Sequence, residues 1–436
     1  MGPKHGARRL GSVLAAAEAA SPVDAVEAVT RELGLALGAT KVSFLIADLS
    51  GRAVVRLAHI QLHAADGGDI DSPVVSGERR AMEESATVEP FDGGPAERAV
   101  RTQEVQVAAP HPRHADSDGW VVLAPVTERG EVIGLLELTL PDRPDTGTLG
   151  EIAELAHMLA FVVIANRRHT DLFEWGQRTR RSSLSSEIQR RLLPGPQTCE
   201  AGSFTLAGWL EPAATVAGDT FDFSLDRDVL HLSLTDAMGH GVEAALDATL
   251  CVGGLRNARN EGASLLDAVT STNQALYEHA ANASLEDFVT GLIGRVDLRT
   301  GVMDLVNAGH EAPYLARGPL VTEVSLRVDL PLGLFGDTTY GISQLGLQPG
   351  DRVVFVTDGM LERTAVEVDI AEVISETRSL HPREAVRALA DRVLAATGHA
   401  LSDDAAVLCL DWHGGHGRDR QSVHGAELSR ASGPVP

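Results

Sequence analysis

Cysteine is scarce in this chain. Cys199, Cys251 and Cys409 are the only three, and they are scattered. With no CxxC pair and no metal-ligand spacing, they exclude a disulfide framework and fit a reducing compartment. Basic charge is also short, with 37 Lys+Arg against 61 Asp+Glu and a formal net charge of −24. A nucleic-acid binder needs a basic face to displace counterions from phosphates, and an anionic membrane surface attracts the same kind of face. Neither partner is expected. Long hydrophobic runs are missing too. The stretch Leu155–Ala165 is uncharged and mostly apolar for only 11 residues, and a bilayer-spanning helix needs about 20. Lys4, Arg8 and Arg9 precede an apolar segment that Glu18 interrupts, so it reads as a short helix rather than a signal peptide. A cytoplasmic location is expected.

What is present is enough apolar residue to fold. Hydrophobic residues make up 44% of the 436, which suffices for two or three globular domains. The charge is uneven. Residues 1–166 sum to −10, residues 167–191 to +4 with seven Arg against three acids, and residues 200–413 to −19. So acidic a segment repels itself or holds cations.

The first 21 residues read as a flexible leader. Apolar residues at helical spacing then run through Val26, Val29, Leu33 and Leu37. Two β-branched runs, 42–47 and 53–58, form a hairpin around Ser50-Gly51, and 64–92 reads as a polar loop. A short helix at 96–101 and a second hairpin, 120–125 with 132–140, precede a long apolar-striped helix at 149–165. This order predicts an α+β domain, an antiparallel sheet backed by helices. The stretch Glu97-Arg98-Ala99-Val100, then Trp120 to Val126, then Gly130 to Leu138, resembles a GAF domain over residues 22–168. The resemblance implies a sensor with a small-molecule or protein ligand, or a dimerisation surface. No Cys lies in that span, so a covalently attached bilin is not expected. Residues 169–199 form a linker in which Leu172, Trp175, Leu184, Ile188 and Leu192 lie amid Arg and Ser before Pro194-Gly195-Pro196. That stripe predicts a signalling helix and a homodimer.

Residues 200–413 carry a repeated device in which apolar strands lead into acidic and small residues. Leu230–Thr235 leads into Asp236-Ala237-Met238-Gly239-His240-Gly241, and Val353–Thr357 leads into Asp358-Gly359. Ser402-Asp403-Asp404 precedes the last strand, and Ala217-Gly218-Asp219-Thr220-Phe221-Asp222 stands beside an earlier one. An Asp at a strand mouth has fixed backbone behind it and open space in front. Several such carboxylates at one sheet end would repel and raise each other's pKa. Hard divalent cations with oxygen ligands resolve that conflict.

Together with Asn307-Ala308-Gly309-His310, Pro331-Leu332-Gly333-Leu334 and the entry segment Glu187-Ile188-Gln189, these motifs resemble the metal-dependent PPM (protein phosphatase 2C) serine/threonine phosphatases. The branch resembled is the sporulation stage II protein E and RsbU type. The resemblance implies an α/β/β/α sandwich with two divalent ions, Mn²⁺ or Mg²⁺, at one edge. It implies that Asp236 bridges both metals, that the carbonyl of Ala237 binds one, and that Asp219, Asp358 and Asp403 ligate. Asp222 and Asp404 are possible neighbours of the ligands. Water activated between two metals needs no protein nucleophile, and the chain has no CxxxxxR pattern to supply one. Many relatives have His where Met238 stands, so the leaving-group proton must come from water or another residue. His240 is expected to begin a helix and His310 to serve a loop.

The expected organisation is a leader (1–21), a GAF domain (22–168), a linker (169–199), a phosphatase domain (200–413) and a disordered tail (414–436). The expected substrate is a phosphorylated STAS-type anti-anti-sigma protein. A rival reading is a non-catalytic phosphatase-fold binding protein, and a third is a cyclic-nucleotide regulator acting through the GAF domain.

Overall fold

A computed structural model describes residues 3–62, 87–110, 119–177, 183–213, 218–283, 287–361, 368–398, 401–414, 420 and 422–427. Most of the 64–92 loop, Ala217 and most of the 414–436 tail lie outside the described residues. The chain divides into two units, one of residues 1–181 with 422–436 and one of residues 182–421.

The first unit begins with α1 (Pro3–Ala19) and α2 (Ala25–Ala36). The leader is therefore not loose. Val13 is 3% exposed and packs, with Ala16 and Ala17 beside it, into the core of the unit. An Ala-rich stretch with one apolar stripe gains its helix from that packing. Then come β1 (Lys41–Ala47), β2 (Ala53–Gln61), β3 (Val88–Pro90), α3 (Pro95–Thr102) and β4 (Gln106–Ala108). The long hairpin β5 (Trp120–Glu128) and β6 (Glu131–Leu140) leads into α4 (Thr146–Asn166). The strands form one antiparallel sheet in the order β3-β2-β1-β6-β5-β4. Alternation decides its faces. Val42, Phe44 and Ile46 face α2 and α4, whereas Leu45 turns to the opposite face with Ala99 of α3.

By length and composition the segment Thr146–His169 would pass for a membrane span. Its apolar character has a local cause, because Ile152, Leu155, Ala156, Leu159 and Val163 fill the core against the sheet. Beyond it the linker is not one continuous helix among the described residues. A short α5 (Leu172–Gly176) buries Phe173 in the first unit, and α6 (Leu184–Leu192) belongs to the second.

The second unit continues with β7 (Thr198–Glu200), β8 (Phe204–Glu211), β9 (Asp219–Leu225), β10 (Val229–Ala237), α7 (Gly241–Asn260) and α8 (Leu265–Ala283). It then runs through β11 (Val289–Asp297), β12 (Val302–Ala308), β13 (Tyr314–Arg317), β14 (Leu320–Glu323), β15 (Val328–Asp329), β16 (Ser343–Gly346) and β17 (Arg352–Val356). The last elements are α9 (Ile370–Glu376), α10 (Pro382–Ala396) and β18 (Ala405–Trp412). One sheet runs β15-β12-β11-β10-β9 with β16 on β12, and the other runs β14-β13-β17-β18-β8-β7. Between them lies a core of Phe204, Phe221, Leu232, Leu234, Leu292, Phe355 and Leu408. The outer face of the first sheet packs on α7 and α8, and that of the second on α9 and α10. This is the α/β/β/α sandwich that the family resemblance implies.

Candidate metal centre

The site is built where strands of both sheets end. Asp219 opens β9 and lies directly opposite Asp236 of β10. Asp236 shares its strand face with Leu230, Leu232 and Leu234, which fill the inter-sheet core, so its carboxylate stands at the mouth of the sandwich. In the other sheet, β17 ends at Val356, and the chain turns through Thr357 into the single helical turn Asp358–Leu361. Asp403 and Asp404 precede β18, whose Val407 pairs with Val356.

Hydrogen bonds tie these ends together. Thr357 Oγ1 donates to Asp219 Oδ2 at 2.6 Å and accepts from the Ala406 N–H at 2.9 Å. Asp404 accepts from the Ala213 N–H at 2.6 Å and from Gln189 Nε2 at 2.6 Å. Gln189 Nε2 also reaches the Asp219 carbonyl at 2.8 Å. Two glycines allow backbones to approach. A Cβ at Gly218 would collide with the Ala237 carbonyl oxygen, and one at Gly359 with the Asp404 carbonyl oxygen.

The electrostatics are those of crowded anions. Burial, then the charge of Asp236, holds the Asp219 carboxyl well above the usual carboxylate range, with Asp404 and Asp403 adding to it. Burial and the charges of Asp358 and Asp403 push Asp236 up to about 7. Asp404 is pushed up to about 6 by burial, against the hydrogen bonds from Ala213 and Gln189 that favour its charged form. Among the described residues, no three Asp, Glu, His or Cys side chains stand at metal-ligating spacing. The carboxylates act on one another through one electrostatic field. Their chemistry fits hard divalent ions, with carboxylates and the Ala237 carbonyl as the donor set.

The structure thus brings Asp219, Asp236, Ala237, Asp358, Asp403 and Asp404 to one edge. It does not bring Asp222 there. Asp222 lies on the opposite face of β9, bonded to Arg256 Nη2 of α7 at 2.9 Å and to Arg259 Nη1 at 3.3 Å. The physical reason is parity: three residues along a strand reverse the face. His240 stands at the N-cap position of α7, with no side-chain bond to the helix, between Gly239 and Gly241, both with positive φ. His310 is bracketed by Asn307, whose Oδ1 accepts its N–H at 2.8 Å. Its ring, 8% exposed, is pushed down to about 4 by burial and is neutral. Gln189 and Thr357 are the site residues that strand-end reasoning missed. The only signal for either was position, Gln189 within the entry segment and Thr357 immediately before Asp358-Gly359.

Residues 226–413 match the family model of Stage II sporulation protein E (SpoIIE), and residues 21–164 match the GAF domain model. The chain joins a GAF domain to a SpoIIE domain. The SpoIIE match contains Asp236, Asp358, Asp403 and Asp404; Asp219 lies seven residues ahead of its start. Two curated relatives from Bacillus subtilis are similar. The phosphoserine phosphatase RsbU is 23% identical over 52% of this chain and 68% of its own length. The phosphoserine phosphatase RsbP is 22% identical over 53% of this chain and 58% of its own length. Among solved structures, the PP2C phosphatase domain with a regulatory fragment of SpoIIE from B. subtilis is 19% identical, with a TM-score of 0.41, covering 49% of this chain and 65% of that one. The acidic strand ends at Asp236, Asp358 and Asp403-Asp404 all fall within the residues that match the SpoIIE model.

Proposed function

We propose that the chain is a metal-dependent protein serine/threonine phosphatase that hydrolyses phosphoserine on a STAS-type anti-anti-sigma protein under control of its GAF domain. The observation that carries this reading is the electrostatic conflict at the sandwich edge, where Asp236 is pushed up to about 7 by its burial and its acidic neighbours. Such a cluster is stable in its charged form only with cations in it. Two divalent ions, Mn²⁺ or Mg²⁺, held by Asp219, Asp236, the Ala237 carbonyl, Asp358 and Asp403 would supply charge neutralisation and Lewis acidity toward a phosphoryl group.

The chain's own residues have defined tasks in this reading. Thr357 orients Asp219 through its hydroxyl, and its bond to the Ala406 N–H fixes that hydroxyl in turn. Asp404 is held by Gln189 and Ala213, which sets the turn that carries Asp403. Water adds to phosphorus, the serine oxygen departs, and that oxygen takes up a proton. Met238, exposed near Asp236 in sequence, has no proton to give, so the proton comes from water or from another residue. Regulation through the linker is supported by Gln189, because a displacement of α6 moves an amide bonded to both Asp219 and Asp404. The similarity to RsbU and RsbP supports a phosphoserine substrate in a partner-switching pathway, and a cytoplasmic, homodimeric protein is consistent with it.

The test is phosphate release from a phosphoserine STAS protein. Wild type with Mn²⁺ is expected to release it, and EDTA, Asp236→Ala and Asp358→Asn are each expected to abolish release. Release that survives chelation or both substitutions refutes the mechanism. A wild type that binds Mn²⁺ and the phosphoprotein but releases nothing supports the non-catalytic binding reading instead.

A further inference from the structure

The C-terminal tail, expected to be without structure, contains an ordered turn that belongs to the first unit. Val423 and Ala426 bond to each other across it, Val423 N–H to Ala426 O at 2.8 Å and Ala426 N–H to Val423 O at 3.3 Å. His424 and Gly425 between them have φ of 52° and 93°. Two successive positive φ values make a type I′ turn, which needs glycine at its second centre. The tip of the β5–β6 hairpin is built alike, with Arg129 at 46° and Gly130 at 78°. The two turns meet, and the Gly130 N–H donates to the Gly425 carbonyl at 3.0 Å.

The contact is tight. Thr127 is 1% exposed, and its carbonyl accepts from His157 Nδ1 of α4 at 2.7 Å. Gly425 lies against that pair so closely that a Cβ there would collide with the Thr127 carbonyl and stand 2.6 Å from His157 Nδ1. Ala426 and Glu427 are 2% and 7% exposed. Just upstream, Arg420 belongs to the other unit. It pairs with Glu200, which is 1% exposed and bonded to the buried His381 at 3.2 Å. Arg420 and Ser422–Glu427 are therefore anchored by different units.

We propose that the GAF domain has a docking site for the chain's own C-terminal segment, formed by the β5–β6 tip, the Thr127 carbonyl and His157, with Ser422–Glu427 as its resident ligand. The occupant is chosen by three features: a glycine where only hydrogen fits, a positive φ at that same residue, and a carbonyl aimed at the hairpin-tip amide. A six-residue contact is weak in isolation. Tethering makes docking intramolecular, which raises its effective concentration without any new contact. The SpoIIE domain is then connected to the GAF domain at both of its ends, by the linker before it and by this strap after it. Opening the hairpin tip would release the second connection and leave the first intact.

The inference does not depend on phosphatase activity, and its test uses no substrate. Amide hydrogen exchange is followed in the full chain, in a chain ending at Gln421, and in Gly425→Val. Exchange of the Gly130 amide at least tenfold faster in both variants is the expected result, whether confined to Glu128–Val132 or spread along the β5–β6 hairpin. Unchanged Gly130 exchange in the shortened chain overturns the docking. Acceleration in the shortened chain but not in Gly425→Val overturns the assigned turn geometry. Since Asp236 and its neighbours are untouched, loss of metal-dependent phosphate release in a separate assay would not bear on this outcome.

Discussion

Replacing Asp236 by Asn should raise the melting temperature of the metal-free protein at pH 8 and abolish its response to Mn²⁺. The Asp236 carboxyl is pushed up to about 7 by burial and by Asp358 and Asp403, against an ordinary value of about 3.9. An acid whose pKa is higher folded than unfolded binds its proton more tightly in the folded state. The stabilising contribution of protonated Asp236 in the metal-free chain is therefore full below about pH 4 and is lost as pH rises through about 7. Each pKa unit corresponds to about 1.36 kcal/mol, so the charged, metal-free site costs on the order of a few kcal/mol. For a domain of this size that corresponds to several degrees, at about 2–4 °C per kcal/mol. Asn removes the charge that creates this penalty, so the variant should melt higher than wild type in EDTA at pH 8 and match it more closely at pH 5. Wild type should recover its loss on addition of Mn²⁺, by about 2.7 kcal/mol at a hundredfold excess over the dissociation constant. Scanning calorimetry from pH 5 to 8, with EDTA or MnCl₂, reads all four conditions. A metal-free wild type whose SpoIIE transition stays flat over this range refutes the reasoning, as does an Asp236→Asn variant that melts lower than wild type at pH 8 in EDTA.

Gln189→Ala removes one donor from Asp404 and one from the Asp219 carbonyl. A hydrogen bond to a charged group contributes about 1.5–3 kcal/mol, so the Mn²⁺ titration midpoint should move by about tenfold or more, read by metal-dependent phosphate release. Gly359→Ala forces a methyl group into the Asp404 carbonyl, which is backbone and cannot rotate away. A loss of about 1–3 kcal/mol or more in urea unfolding is expected, together with weakened metal response. Asp222→Asn leaves Arg256 and Arg259 without their carboxylate. Both arginines are partly exposed and solvent screens them, so about 1–2 kcal/mol of stability should be lost while the Mn²⁺ midpoint stays unchanged. A shifted midpoint would return Asp222 to the metal centre.

The sequence carries the sandwich strands and the acidic strand ends because both are local. Alternation in Leu230–Leu234 assigns a face, and the same alternation carried three residues along β9 separates Asp222 from Asp219. That parity was available and would have removed Asp222 from the possible neighbours of the ligands. Gln189 is different in kind, since its partners lie 30 and 215 residues away and no periodicity of a nine-residue helix reports them. The helix of α1 was legible in the apolar segment after Arg9, but its docking was not, because an Ala-rich stretch declares its packing only through the core that Val13 enters. The tail turn was partly legible: a His-Gly pair fits a type I′ turn, but only the Gly130 amide and the Thr127 carbonyl give that turn a partner.

The acidic edge draws on both halves of the sandwich. Asp219 and Asp236 ride on one sheet, and Asp358, Asp403 and Asp404 on the other, with Thr357 the hydroxyl stitch between them. If the site binds cations as proposed, the spacing between the two layers is the coordinate that would set their affinity. A slide of one layer over the other can leave every ladder hydrogen bond intact and still change the distances between the carboxylates. Such a site would be tuned as a jaw is, by the angle between its plates, and a force on a helix packed against either plate would become a change in metal occupancy.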